Sequence, residues 1–167
     1  AALMSLTGAA AAAPEASAAC GGPGTTAIAE IRGIGVAPVA EGKTLIVEAT
    51  VSGSFPGSQG LNGFYLQSPR PAAGIFVYAP DLEGQRVPKR HERWRIQART
   101  GRYRGQIQLE RIQSMQYCGV RRVRPAVLDP ASGDDYARLH DRLVRIPGPL
   151  HVAEVYNLGR YGSLALA

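Results

Sequence analysis

Residues 63–79 read GFYLQSPRPAAGIFVYA, and this stretch decides the fold. Its two ends, residues 63–68 and 74–79, are short aromatic and aliphatic runs separated by a Pro-rich turn, which predicts two consecutive strands. Side chains alternate between the two faces of a strand, so one face meets the core and the other faces outward. The predicted inward residues are Phe64, Leu66, Ile75 and Val77. The predicted outward residues are Tyr65, Gln67, Phe76 and Tyr78, so aromatic rings gather on the outside.

Three more strands flank this pair. Residues 44–52, 92–99 and 106–112 also alternate apolar with polar positions, and residues 101–105, GRYRG, read as a hairpin connection. The 20 Gly and 12 Pro in 167 residues favour many short elements joined by turns over long helices. Five short strands within about 75 residues predict an all-β chain built on a small five-stranded barrel of the OB type. A two-layer sandwich is the structural alternative.

The chain divides into a barrel and two flanking regions. The barrel is expected over residues 19–120, and a Pro-containing linker over residues 121–135. Residues 136–167 begin with a short helical pattern and then repeat, weakly, the order of features of the first strands. This repeat predicts a short helix followed by the first strands of a second, incomplete OB-like domain.

Residues 1–18 have the character of a cleaved export signal. Residues 1–13 are small, apolar and uncharged, and Ala16, Ser17 and Ala18 follow in the small-x-small order that signal peptidase recognises. We therefore expect a signal-peptide remnant and a secreted, extracellular or periplasmic protein. An Ala-rich linker is the alternative, because no basic region precedes the apolar run. The run is too short and too rich in alanine to span a membrane, so no membrane partner is expected.

The formal net charge of +6 is concentrated in one central segment. Residues 86–124 hold twelve basic residues against two acidic ones, whereas the regions before and after this segment are slightly acidic. Seventeen of the 19 basic residues are arginine, whose planar guanidinium pairs bidentately with phosphate. A polyanionic partner is therefore favoured. A genome rich in G and C is the alternative reason for the arginine content.

The chain has two cysteines, Cys20 and Cys118. The simplest role for two cysteines in an exported protein is a disulfide, which here would tie the start of the barrel to the end of the basic segment. Two unpaired thiols are the alternative. Neither cysteine has another cysteine or a histidine at the short spacing typical of metal ligands, so the sequence predicts no metal site.

An aromatic and basic outer surface is the candidate binding site. Bases stack on aromatic rings, arginine pairs with phosphates, and OB folds bind oligonucleotides or oligosaccharides on strands two and three. The expected partner is nucleic acid, with single-stranded DNA as the preferred form. The alternative is that another part of the chain covers the aromatic rings. The predicted nucleic-acid-binding residues are Tyr65, Phe76, Tyr78, Arg93, Arg95 and Arg99.

The sequence predicts no catalytic centre. His91, His140 and His151 fall in a loop, a short helix and a strand, without a carboxylate motif at ligand spacing. Asp134 and Asp135 fit the cap of the short helix better than a metal site. No Gly-rich phosphate-binding loop precedes a helix, so a nucleotide-binding fold is not indicated.

Five segments resemble, in this order, the amino-terminal region of bacterial extracellular nucleases. They are AIAEIRGIG (27–35), GKTLIVEATVSGSF (42–55), LNGFYLQSP (61–69), AGIFVYAP (73–80) and LVRIPGPLHVAEVYNLGRYGSLAL (143–166). The most specific element is YNLGRYG, residues 156–162. In that family, OB-like domains precede a catalytic domain of the endonuclease/exonuclease/phosphatase type. The resemblance spans residues 20–167 and implies an OB-like region that serves such a domain.

The resemblance implies a non-catalytic, nucleic-acid-binding accessory region of a secreted, metal-dependent nuclease. Its partners would be nucleic acid and a downstream catalytic domain of the same polypeptide. The Mg or Ca that the family uses would belong to that catalytic domain, so no cofactor is expected in this chain. Two alternatives remain: a scaffold that packs on the catalytic domain, and a module that binds oligosaccharides or a cell surface.

Overall fold

The computed structural model describes residues 19–70, 72–82, 86–130, 136–161 and 163–166. The predicted signal-peptide remnant, residues 1–18, lies outside this part of the chain, as do Asp134 and Asp135. The central strands are β1 (Thr44–Phe55), β2 (Gly63–Pro69), β3 (Ala72–Tyr78), β4 (Glu92–Tyr103) and β5 (Gln106–Val120). The flanking elements are α1 (Ile28–Ile31), β6 (Ala126–Val127), α2 (Tyr136–Leu139), β7 (Val144–Arg145), β8 (Val152–Glu154), α3 (Leu158–Tyr161) and β9 (Ala165–Leu166), with a 3₁₀ turn at Pro80–Leu82.

One sheet holds all five central strands, in the order β1-β2-β3-β5-β4. Neighbours pair antiparallel except β3 and β5, which pair in parallel at Val77 and Leu109. Because β1 also pairs with β4, the order closes on itself as a barrel. The prediction of a mostly β chain with five barrel strands is confirmed. The alternative of a two-layer sandwich is wrong.

The core follows the predicted alternation along the strands. Phe64 and Leu66 on β2, and Ile75 and Val77 on β3, are all buried, as are Trp94, Ile96 and Ala98 on β4. The helix α1 adds Ile28, Ala29 and Ile31 to the same cluster. An apolar interior of this kind supplies most of the free energy that holds a small barrel together.

The strands β1 and β5 are longer than their sequence patterns predict, because bulges interrupt the alternation. In β1 the register shifts between Val51 and Gly53, so Ser52 is an extra residue. A bulge bends a strand and increases its twist. The first half of β1 therefore pairs with β4 and the second half with β2.

A two-residue turn joins β4 to β5 and positions side chains of the site described below. Arg104 and Gly105 have φ values of 49° and 82°. Positive φ at both central residues is the requirement of a type I′ turn, which matches the twist of a hairpin. The predicted hairpin at residues 101–105 is confirmed, with its turn limited to these two residues.

The amino-terminal segment is fastened to the barrel by a disulfide. Cys20 and Cys118 are bonded, with their Cα atoms 5.6 Å apart, so the predicted pairing is confirmed and the alternative of free thiols is wrong. Residues 20–24 form a strap that runs outside β1 and β4. Its Gly21 N–H donates to the Glu48 carboxylate on β1 at 2.8 Å.

The carboxy-terminal region packs on β2 and β3 through contacts of Arg124, Asp141 and Leu143. The Gln67 amide contacts this region twice: its Nε2 donates to the Arg124 carbonyl at 3.4 Å, and its Oε1 accepts from the Leu143 N–H at 2.9 Å. A Cβ on Gly74 would lie 2.1 Å from the Asp141 carbonyl oxygen, so only glycine permits this approach. The predicted linker contains β6, and a short helix follows as expected. The prediction that residues 136–167 begin a second OB-like domain stays a prediction.

Candidate nucleic-acid interface

An aromatic row crosses the outer surface of β1, β2 and β3. The ring centroids of Tyr65 and Phe76 lie 4.9 Å apart, and the Phe55 ring meets Tyr65 edge to face at 6.1 Å. Two glycines make room for these rings. A Cβ on Gly63 would lie 2.6 Å from the Phe76 ring, and one on Gly53 would lie 3.0 Å from the Phe55 ring. The position of the row therefore depends on these two glycines as well as on the aromatic side chains.

Two members of this row, Tyr65 and Phe76, line an open groove of about 750 Å³. One wall comes from the loop between β1 and β2, and the opposite wall from the hairpin between β4 and β5. OB folds bind extended ligands on strands two and three, between these same two loops. The lining residues are Gly60, Leu61, Asn62, Tyr65, Phe76, Tyr78, Arg102, Tyr103, Arg104, Gln106, Ile107, Gln108, Glu110 and Asp141.

The groove combines both signs of charge. Arg102 and Arg104 line it from the hairpin, and Glu110 and Asp141 line it from β5 and from the carboxy-terminal region. Burial raises the pKa of the Tyr65 hydroxyl, and the negative charge of Asp141 raises it further. Tyr65 is therefore a neutral hydrogen-bond donor at physiological pH.

The structure brings the three predicted aromatic residues together. Tyr65, Phe76 and Tyr78 all line the groove, and Tyr78 is 38% exposed. The alternative that another part of the chain covers all of these rings does not hold for Tyr78. Two exposed tyrosines, Tyr78 and Tyr103, thus belong to one groove, with Tyr103 61% exposed.

The three predicted arginines do not adjoin these rings, so the expected continuous aromatic and basic face is wrong. Arg93, Arg95 and Arg99 lie on β4, and none of them lines the groove. The reason is topological: β1 lies between β4 and β2, and β5 lies between β4 and β3, so β4 adjoins neither of the two strands that carry the predicted rings. Alternation along each strand predicts which side chains point outward, but it does not predict which strands are adjacent.

Arg95 shows the largest departure from the prediction, because it is fully buried although alternation places it on the outer face of β4. The amino-terminal strap covers it. Its guanidinium donates to the carbonyls of Gly22 at 3.0 Å and Pro23 at 2.6 Å, and to the Glu48 carboxylate at 3.2 Å. Arg95 thus holds the strap on the barrel.

The other two arginines have structural partners as well. Arg93 forms an ion pair with Glu48, and its side chain is partly exposed. Arg99 is exposed and donates through Nε to the Gly42 carbonyl at 3.1 Å. Their predicted role in binding nucleic acid stays a prediction, at a position separate from the groove.

Sequence reasoning missed the residues of the β4–β5 hairpin. The sequence pattern predicts only a hairpin turn at Arg102, Tyr103 and Arg104, but these residues form one wall of the groove. The Arg104 guanidinium lies 5.3 Å from the centre of the Tyr103 ring, which is a cation–π distance. The signal was present in the GRYRG motif, because the loop between strands four and five is a ligand-binding loop in OB folds.

A second aromatic and basic cluster lies where β4 begins. The Arg86 guanidinium lies 5.1 Å from the Trp94 ring centre and 4.5 Å from that of Tyr117, and it pairs with Glu92 at 3.1 Å. Burial works to raise the pKa of the Glu92 carboxyl. The Lys89 N–H, the Trp94 indole and the Arg86 guanidinium outweigh this and hold that pKa below its ordinary value.

The lowered pKa of Glu92 predicts a loss of stability in acid. A carboxyl with a depressed folded-state pKa stabilises the fold above its ordinary value of 4.5, and this stabilisation is lost as the pH falls through the folded-state pKa. We expect the free energy of unfolding to fall less between pH 5 and about pH 3 in Glu92→Gln than in the wild type. Urea titrations at a series of pH values measure this, and parallel pH profiles would contradict it.

Two other features are absent from the described residues. No group of three or more His, Cys, Asp and Glu side chains there is arranged to hold a metal ion. No helix in the same residues is long and apolar enough to cross a membrane.

The fold and the groove together define a small OB-like barrel with an aromatic groove on its second and third strands. Among solved structures, the chain is similar to the solution NMR structure of an OB domain from Methanosarcina mazei, with a TM-score of 0.37 and 10% sequence identity. The match covers 49% of this chain and 76% of that one. No family model and no curated protein matches the sequence.

Proposed function

We propose that the barrel binds single-stranded nucleic acid in the aromatic groove. One observation carries the proposal: two exposed tyrosines, Tyr78 and Tyr103, and two arginines, Arg102 and Arg104, line the same open groove. The tyrosines provide planes on which bases stack, and the arginines lie within reach of the backbone phosphates. Single strands fit this arrangement because their bases are free to leave the stack.

The expected magnitudes are those of weak binding that tolerates many sequences. Base stacking on an aromatic ring contributes roughly 1–3 kcal/mol for each base. Each phosphate contact on a single strand adds a slope of about −0.7 to log affinity against log salt. Contacts from Arg102 and Arg104 alone would give a slope of about −1.4. The carboxylates of Glu110 and Asp141 in the same groove oppose a polyanion and keep the affinity modest.

Those carboxylates favour a second candidate, an oligosaccharide. Sugar rings also pack on tyrosine. The Glu110 and Asp141 carboxylates accept hydrogen bonds from hydroxyl groups, and the Gln108 amide both accepts and donates them. OB folds bind both kinds of ligand on this face. Neutral glycans release no counterions, so their binding would be independent of salt.

Two variants test the proposal without disturbing the fold. Tyr103→Ala removes an exposed ring, so we expect at least about a fivefold loss of affinity for oligo(dT), with little change in salt slope. Arg104→Asn removes a charge while placing Asn-Gly, the preferred type I′ pair, in the turn. We expect this variant to fold normally and to flatten the salt slope by about 0.7. Fluorescence anisotropy over a salt series measures both quantities.

The matched control is Tyr156→Ala, at a tyrosine that is 86% exposed and does not line the groove. This variant should bind as the wild type does. If Tyr103→Ala and Arg104→Asn also match the wild type, the groove is not the nucleic-acid site. Binding to a glycan array that is independent of salt and lost in Tyr103→Ala would favour the oligosaccharide.

We further propose that this binding serves an exported nuclease whose cutting residues belong to another domain. The support is the resemblance carried by the five sequence segments, together with the groove. We expect the purified chain to leave plasmid and RNA intact in Mg²⁺ or Ca²⁺. Cleavage that follows the protein peak through repeated purification would contradict this accessory role.

A further inference from the structure

Five exposed basic side chains form a ridge outside both the aromatic groove and the protein core. Lys89 and Arg90 lie in the loop before β4, and Arg121, Arg122 and Arg124 follow β5. All five are exposed. We call this set the basic ridge. Its two halves are more than thirty residues apart in the sequence, so only the fold brings them together.

His91 holds the two halves in place. Its carbonyl accepts from the Arg121 N–H at 2.8 Å, and its Nδ1 accepts from the Val123 N–H at 3.2 Å. Its own N–H donates to the Val51 carbonyl at 2.9 Å, which fastens the loop to β1. The φ of His91 is 75°, a left-handed conformation that is costly for a non-glycine residue and is maintained here by these contacts. The ridge therefore has a fixed backbone.

No carboxylate neutralises the ridge within the described part of the chain. The ion pairs recorded there involve Arg86, Arg93, Arg95 and His140, and none includes a ridge side chain. Glu92, the carboxylate nearest in sequence, accepts from the Lys89 backbone N–H, the Arg86 guanidinium and the Trp94 indole, and forms no ion pair with a ridge side chain. Like charges held together without a counterion repel one another, and a polyanion relieves that repulsion.

At Arg124 the ridge joins the carboxy-terminal segment that covers β2 beside the aromatic groove. The Arg124 carbonyl accepts from Gln67, and Gln67 lies two residues along β2 from Tyr65 in the groove, a distance of roughly 7 Å. Tyr65 and Gln67 occupy alternate positions and thus the same face of the strand. Gln67 is buried beneath Arg124 and Leu143, so a strand that leaves the groove in this direction passes over the outside of this segment and reaches the ridge at Arg124.

We propose that the basic ridge is a second contact surface for the same strand of nucleic acid, binding the phosphates of nucleotides that extend beyond the groove. This inference rests on the proposed function of the groove. Short oligonucleotides occupy the groove alone, whereas longer ones reach the ridge and gain phosphate contacts. Affinity and salt slope should therefore both increase with the length of the strand.

The test compares oligo(dT) of about 4 and about 16 nucleotides, the range of site sizes for OB folds. For the long strand, Arg121→Gln with Arg122→Gln should flatten the salt slope by about 1.4 and weaken binding at least about tenfold at about 50 mM salt. For the short strand, the same variant should match the wild type. The control is Arg70→Gln with Arg138→Gln, which removes the same charge from exposed sites outside both the ridge and the groove.

The outcomes separate the ridge from the groove. Equal losses on short and long strands, or a loss no larger than that of the control, would overturn the ridge. A short strand that does not bind the wild type would instead overturn the groove. A third outcome is that the ridge substitutions weaken binding of the long strand but Tyr103→Ala does not. That result would overturn both binding in the groove and the proposal that one strand contacts the groove and the ridge.

Discussion

Replacing Arg95 by Met is expected to lower the free energy of unfolding by about 3–5 kcal/mol. The side chain is fully buried, and its loss leaves the Glu48 carboxylate, itself 5% exposed, with less compensation for its desolvation. The carbonyls of Gly22 and Pro23 lose their donor at the same time. Removing one partner of a buried ion pair lowers the free energy of unfolding by more than the intact pair contributes to it, because the remaining charge is left buried without a partner.

Equilibrium urea unfolding measures this loss, with Arg99→Met as the matched control. Arg99 lies on the same strand, is exposed, and makes one hydrogen bond to Gly42, so its replacement should change stability by less than about 1 kcal/mol. The double variant Arg95→Met with Glu48→Leu should recover part of the loss, because no buried charge is then left unpaired. Equal effects of Arg95→Met and Arg99→Met would contradict the buried role.

Replacing both cysteines by serine is expected to destabilise the barrel by about 4–5 kcal/mol in the chain-entropy model. The bond joins residues 98 apart in the sequence, so it closes a loop that is long relative to the chain. Opening it frees the unfolded chain and releases the strap from β5. Since small domains are stable by only about 5–15 kcal/mol, this loss approaches the lower limit of the total.

The measurement is urea unfolding of Cys20→Ser/Cys118→Ser beside the oxidised wild type. The wild type under reducing conditions is the control and should match the double variant. The disulfide and Arg95 hold the same strap, so combining Arg95→Met with the serine substitutions should cost less than the sum of the separate losses. An oxidised wild type no more stable than the reduced protein would contradict the prediction.

Alternation of apolar and polar residues is sufficient to predict the strands and their inward side chains. Alternation in residues 63–79 identified Phe64, Leu66, Ile75 and Val77 as core residues, and all four are buried. Period-2 patterning is a local property, because each side chain's face depends only on its position along one strand. The disulfide was also predictable, since two cysteines in an exported chain have one simple pairing.

Which strands are neighbours, and which segments cover them, depends on contacts between residues distant in the sequence. Arg95 has the outward position that alternation predicts, but the amino-terminal strap buries it. Tyr103 and Arg104 reach the aromatic groove from a hairpin nearly thirty residues beyond Phe76, while His91 brings the two halves of the basic ridge together. These are long-range contacts, fixed by the order in which strands pair around the barrel. A period read along one strand carries no information about that order.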